Sequence, residues 1–168
     1  MIPEIKKILY ATDLSENARY AFGYAVSLSS RYDAGITVLH VVEELSSFAQ
    51  SLVEEILGEK RWADRIKEKE AEVIADLKTR LDEFCKEVRN EQPSCPFVID
   101  QTVVLTGHPV DQIARFAKEM DADVIVMGSR GKGGLADVTL GSTSRRVLKR
   151  VITPVMVIRL PIKYPVKT

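Results

Sequence analysis

Apolar residues in this chain recur with two different periods. Short, mostly apolar runs stand at Ile5 to Ala11, Ile36 to Val42, Val124 to Met127 and Val155 to Arg159, and Val98, Ile99, Val103 and Val104 mark a further run from Phe97 to Leu105. Runs this short, rich in β-branched residues and closed by glycine, proline or polar positions, predict strands buried on both faces of a sheet. Between them the apolar positions step by threes and fours, as on one side of a helix. Ala18, Ala21, Phe22, Ala25, Val26 and Leu28 form such a stripe after Ser15, a favourable N-cap. Val110, Ile113, Ala114, Phe116, Ala117 and Met120 form another behind Pro109, which suits the first helical position. Val147, Leu148 and Val151 follow Ser142, and Thr153-Pro154 stops that helix.

From Glu43 the pattern turns polar. Ala63, Ile66, Val73, Leu77, Leu81, Phe84 and Val88 predict a helix of several turns whose mixed charges form a solvated face, broken by Pro93 and Pro96. Residues 43–60, with Ser46, Ser47 and Gly58, read as a variable insert or flap. Five strands alternating with helices predict an α/β fold, a single-domain open parallel sheet with helices on both faces. A length of 168 residues fits one domain, taken as 1–160, with 161–168 as a C-terminal tail.

Composition narrows the function classes. Twenty-four basic residues balance 24 acidic ones, so there is no general electrostatic case for nucleic acid or an anionic membrane, and any anion site is local. No run approaches the roughly 20 apolar residues of a membrane span, and no leader pattern opens the chain, which predicts a soluble cytoplasmic protein. Cys85 and Cys95 lack the paired spacing of a zinc site and read as ordinary thiols.

Candidate chemistry collects after the fourth strand. Gly128, Gly131, Gly133 and Gly134 supply a backbone able to approach a ligand closely, and Gly141, Ser142, Thr143 and Ser144 open a helix with glycine followed by consecutive hydroxyls. Unpaired N–H groups and hydroxyls at a helix start suit a polyanion. One serine would satisfy capping, and three hydroxyls exceed that need. Lys132 does not make a Walker A loop, because Gly133 follows it where Ser or Thr is required. Arg130 is either a solvated loop residue or a bidentate phosphate ligand. Asp13, directly after the first strand, is a carboxylate for a ribose hydroxyl or an adenine amino group, an aid to a metal, or a capping residue for the helix behind it. Val41 is an ordinary core position or an apolar wall. His40 points to the opposite face from Val41 and reads as structural, and His108 as a turn or cap residue.

Gly128, two residues, Gly131, nine residues, then Gly141 and Ser142 match the G-2x-G-9x-G-[S/T] signature of the nucleotide-binding branch of the universal stress protein family. The chain resembles that family over nearly its whole length, from Ile8-Leu9-Tyr10-Ala11-Thr12-Asp13 through Val38-Leu39-His40-Val41 and Gly107-His108-Pro109 to Pro154-Val155-Met156-Val157-Ile158. The resemblance implies a Rossmann-like sheet of order 3-2-1-4-5 and a site for ATP, or for ADP or AMP, with magnesium. It places adenine near Asp13 and Val41 with Ala11 and Thr12 lining the pocket through their backbone, ribose near Met127 and Gly128, and phosphates on Gly131 and Gly141 to Ser144, with Arg130 beside them. Where many relatives have proline, this chain has Ala11. The resemblance also implies a homodimer through the last strand and a nucleotide-dependent switch in stress response. No catalytic residue and no protein metal ligand is evident. The rival readings are a slow ATPase or self-phosphorylating enzyme, and a module of the same fold that binds only protein partners.

Overall fold

In the computed structural model, residues 2–43, 68–69, 71–80, 82–83, 86, 90, 97–129 and 140–159 are described. The first strand, β1 (Lys7–Thr12), is buried from Ile8 onward on both faces, as its unbroken apolar run requires. It feeds α1 (Glu16–Tyr32), followed by β2 (Gly35–Val42), helical residues 71–80 (α2), β3 (Val98–Thr106), α3 (Pro109–Glu119), β4 (Val124–Gly128), α4 (Ser142–Arg150) and β5 (Val155–Ile158). All four pairings are parallel, and the spatial order is β3-β2-β1-β4-β5. The order expected from the family resemblance is the one found. β1 therefore lies between β2 and β4, and the direction of winding reverses between β1 and β4, where open α/β sheets bind ligands beyond their carboxyl ends.

The two sheet faces carry separate cores. Ile8, Tyr10, Ile36, Val38 and Val126 pack under α1, through Ala21, Phe22, Ala25 and Val26, and under Leu77 of α2. Burial pushes the Tyr10 phenol well above its ordinary pKa, and its hydroxyl donates to the Ala18 carbonyl at 2.5 Å, so the neutral form is satisfied inside the core. On the other face Leu9, Ala11, Leu39, Ile125 and Met127 pack under Val110, Ile113 and Ala117 of α3 and Val147 of α4.

The loops after the strands show why these elements stop where they do. At Gly107 the chain takes φ +134°, a region closed to most side chains, and it turns directly into His108 as N-cap and Pro109 at the first helical position. Ser15 caps α1 by accepting from the Ala18 N–H, as the sequence predicts. α4 keeps Val147 buried but leaves Leu148 exposed, and Val151 is its C-cap, so the apolar stripe of that helix is narrower than the sequence suggests. The insert at 44–60, Ala63, Ile66, both cysteines, Arg130, Gly131 and the tail at 161–168 lie outside the described residues.

Candidate functional site

The parallel register brings the predicted residues to one edge. Thr12 lies opposite His40, and Ala11 lies between Leu39 and Met127. Asp13 follows the end of β1, Val41 is the penultimate residue of β2 and Gly128 closes β4, so all three stand at this edge. α4 starts at this edge too, because the Gly141 N–H donates to the Ser129 carbonyl at 2.7 Å, immediately after β4. Ala11, Thr12, Asp13, Val41, Met127, Gly128 and Gly141 to Ser144 thus converge on the carboxyl ends of β1, β2 and β4.

Each side chain has local work there. Asp13 Oδ1 accepts from the Ser15 N–H at 3.1 Å and the Ser15 hydroxyl at 2.6 Å, which fixes the carboxylate at the rim. Thr12 Oγ1 accepts from the Leu14 N–H at 3.1 Å. The Thr12 carbonyl accepts from His40 Nδ1 at 2.8 Å; since a carbonyl only accepts, this contact puts the proton on Nδ1. His40 is buried and ties β2 to β1 as the sequence reading expects. Val41 is half-buried beside the core on the α3 side, while Ala11 and Met127 are buried there.

Two residues at this edge escape sequence reasoning. Leu14 adopts φ 63°, a left-handed conformation unusual for leucine, and its carbonyl accepts from the Arg80 guanidinium, which also pairs with Asp76 at 2.9 Å. Asn17 is buried in the first turn of α1 and packs against the end of β4: a Cβ on Gly128 would lie 3.3 Å from its backbone carbonyl carbon and its amide. Glycine at 128 is what lets α1 approach so closely. The one available signal is that Asn17 stands four residues before Ala21, a polar residue in line with an apolar stripe.

The start of α4 differs from its neighbours. Gly141, φ −58° and ψ 157°, is the N-cap without a side-chain hydrogen bond, and the first turn holds no acidic residue. The N–H groups of Ser142, Thr143 and Ser144 have no intrahelical acceptor, and together with the helix dipole they form a local positive end. Ser142 is exposed and Thr143 half-buried. The Ser144 hydroxyl is turned inward, donating to Ser129 and Gly141 carbonyls at 3.0 and 3.1 Å. Arg145, Arg146 and Lys149 are exposed on the same helix, and Arg150 pairs with Asp111 of α3 at 3.0 Å.

Comparison with known proteins agrees with this architecture. Residues 4–159 match the model of the universal stress protein family. The universal stress protein MJ0577 of Methanocaldococcus jannaschii is 28% identical over 92% of this chain and 94% of its own, and YxiE of Bacillus subtilis is 30% identical over 91% and 98%. Among solved structures, UspA of Lactobacillus plantarum superposes with a TM-score of 0.71 at 25% identity, covering 94% of this chain and 100% of that one. MJ0577 superposes with a TM-score of 0.63 at 26% identity, covering 95% and 99%. A universal stress protein solved in complex with cAMP shares the fold, with a TM-score of 0.55 at 20% identity over 94% of this chain and 98% of that one. A single five-stranded parallel sheet of this order, matched over nearly all its length, makes the chain a member of the universal stress protein family.

Proposed function

We propose that this protein binds ATP with magnesium at the carboxyl edge of β1 and β4 and acts as a nucleotide-dependent switch in a cytoplasmic stress response. The observation that carries the reading is the start of α4, whose N–H groups have no capping side chain among the described residues and no acid in the first turn. Ser142 and Thr143 would meet the phosphates through backbone and hydroxyl groups, with Gly141, Gly131 and Arg130 beside them. Asp13 would accept from the ribose or the adenine amino group, Val41 would pack on the base, and Ala11, Thr12, Met127 and Gly128 would line the nucleoside through backbone and apolar contact. ADP or AMP would occupy the same cradle with fewer phosphate contacts.

Among the described residues, no group of three or more His, Cys, Asp or Glu is arranged to hold a metal ion. The residues present fit magnesium carried by phosphate and water oxygens, where it would neutralise phosphate charge. The cAMP complex of a same-fold relative is that protein's own ligand and sets no preference here. No helix among the described residues is long and apolar enough to cross a membrane, which suits the cytoplasmic reading.

The test is to denature freshly purified protein and identify released small molecules by mass spectrometry, then to titrate emptied protein with ATP and magnesium. Released adenine nucleotide, or saturable binding abolished by Gly141→Val, supports the reading. Absence of both contradicts it and favours a partner-only module. Steady release of ADP, lost with Gly141→Val, would extend the reading to an ATPase.

A homodimer through β5 belongs to the same proposal. Val155, Met156 and Val157 are half-buried on a strand paired only with β4 among the described residues, and Ile152 beside them is fully exposed. Light scattering at micromolar concentration should give twice the chain mass, and Met156→Lys should give the monomer. A monomeric wild type would contradict it.

A further inference from the structure

The Ser144 side chain is 2% exposed, and its hydroxyl reaches two carbonyl oxygens, Ser129 at 3.0 Å and Gly141 at 3.1 Å. A serine hydroxyl carries one hydrogen, so these contacts are two arms of a three-centre bond that occupies the donor fully. A phosphate oxygen can only accept. What Ser144 Oγ has left is lone pairs, which repel an anion.

Its acceptors explain where the hydroxyl acts instead. Ser129 follows β4, Gly141 precedes α4, and the Gly141 N–H donates to the same Ser129 oxygen at 2.7 Å. The Ser129 N–H in turn donates to the Ile158 carbonyl of β5 at 2.7 Å. One clasp therefore joins the ends of β4 and β5 to the start of α4. Ser144 is the third residue of α4 after its cap, so holding its side chain against Ser129 fixes the rotation of the first turn about the helix axis. The direction of the Ser142, Thr143 and Ser144 N–H groups follows from that rotation.

We infer that Ser144 is a positioning residue for polyphosphate binding: its side chain orients the open N–H groups of α4 before any ligand arrives, and its hydroxyl gives the ligand no hydrogen bond. This rests on the nucleotide reading above. A preoriented donor set loses less freedom on binding, so the benefit should grow with the number of phosphates held.

The test compares wild type, Ser144→Ala and Ser144→Thr by calorimetric titration with ATP, ADP and AMP, each with magnesium, and by amide hydrogen exchange of the nucleotide-free proteins. Ser144→Ala should weaken ATP about tenfold and AMP less than about twofold, the size of one lost orienting bond. Exchange across residues 141–145 should accelerate without nucleotide, and Ser144→Thr, which keeps the hydroxyl, should restore both. Should Ser144→Ala fail to fold, Ser144→Cys, a weaker donor of similar size, should weaken ATP by a few-fold and speed exchange at 141–145 relative to wild type, while leaving AMP nearly unchanged. Unchanged ATP affinity would overturn the inference. So would weaker ATP binding with wild-type exchange at 141–145, the mark of direct phosphate contact, or an equal loss for all three nucleotides. If the wild type bound none of them, the nucleotide reading would fail. Faster exchange in Ser144→Ala would then still support the clasp, and unchanged exchange would overturn it.

Discussion

Two helices begin at the same edge of this sheet, and they treat their first turns in opposite ways. α1 fills its own: Ser15 accepts from Ala18, and Asp13 holds Ser15 from the rim, bringing a carboxylate to the positive end of the dipole. α4 begins at Gly141, with no side-chain cap and no acid in its first turn. α3 sides with α1, because Pro109 removes one donor and Asp111 puts a negative charge in the first turn. The field of a helix is common to all three, so the field alone does not select an anion site. What sets α4 apart is that its first turn has neither a side-chain cap nor an acidic residue, whereas α1 has the cap and α3 the acid.

This contrast can be broken directly. Gly141→Asp would give α4 the kind of cap that α1 has, and the backbone there, φ −58° and ψ 157°, is open to any residue. ATP affinity should fall by about 100-fold or more as a carboxylate takes the donors and repels phosphate, while stability rises by only a few tenths of a kcal/mol. Calorimetry and a thermal melt read the two effects separately. Asp13→Ala should cost about tenfold in ATP affinity through the lost adenosine contact and about 1 kcal/mol of stability through the lost bonds to Ser15.

Ser15→Ala sharpens the comparison from the other side. It should lower stability by about 1 kcal/mol in a denaturant titration and leave ATP affinity within about twofold, because the α1 cap serves the fold. The smallest effect belongs to Arg150→Ala. Its exposed pair with Asp111 links the last turn of α4 to α3, so its loss should cost under about 0.5 kcal/mol, shrink further in salt, and leave ATP binding unchanged.

The strands were legible because each is a compact apolar run, and α1 and α3 because Ser15 and Pro109 mark their starts. Strand order was not legible in periodicity, since the runs at Val38 and Val124 look alike and only the glycine spacing pointed to a known arrangement. At this edge, placement that follows from residue type and position was readable: Asp13 ahead of α1, Gly128 closing β4 and Gly141 opening α4. Contacts that run through distant backbone were not. Arg80 reaches the Leu14 carbonyl across 66 positions, and nothing in a leucine announces φ 63°. The inward hydrogen bond of the Ser144 hydroxyl was not legible, because its acceptor, the Ser129 carbonyl, belongs to no side chain. Leu148 was assigned to the buried stripe, yet a helix of nine residues lying at the margin of the sheet buries Val147 and Ser144 and turns Leu148 outward.

The most direct test of the open helix start is to follow backbone amide resonances while ATP and magnesium are added. The largest shifts should appear at the N–H groups of Ser142, Thr143 and Ser144, with smaller ones at Asp13 and Val41 and little change in the first turn of α3. Amides at 142–144 that stay unmoved up to about 1 mM ATP, where even a binding free energy near −4 kcal/mol would register, would contradict it.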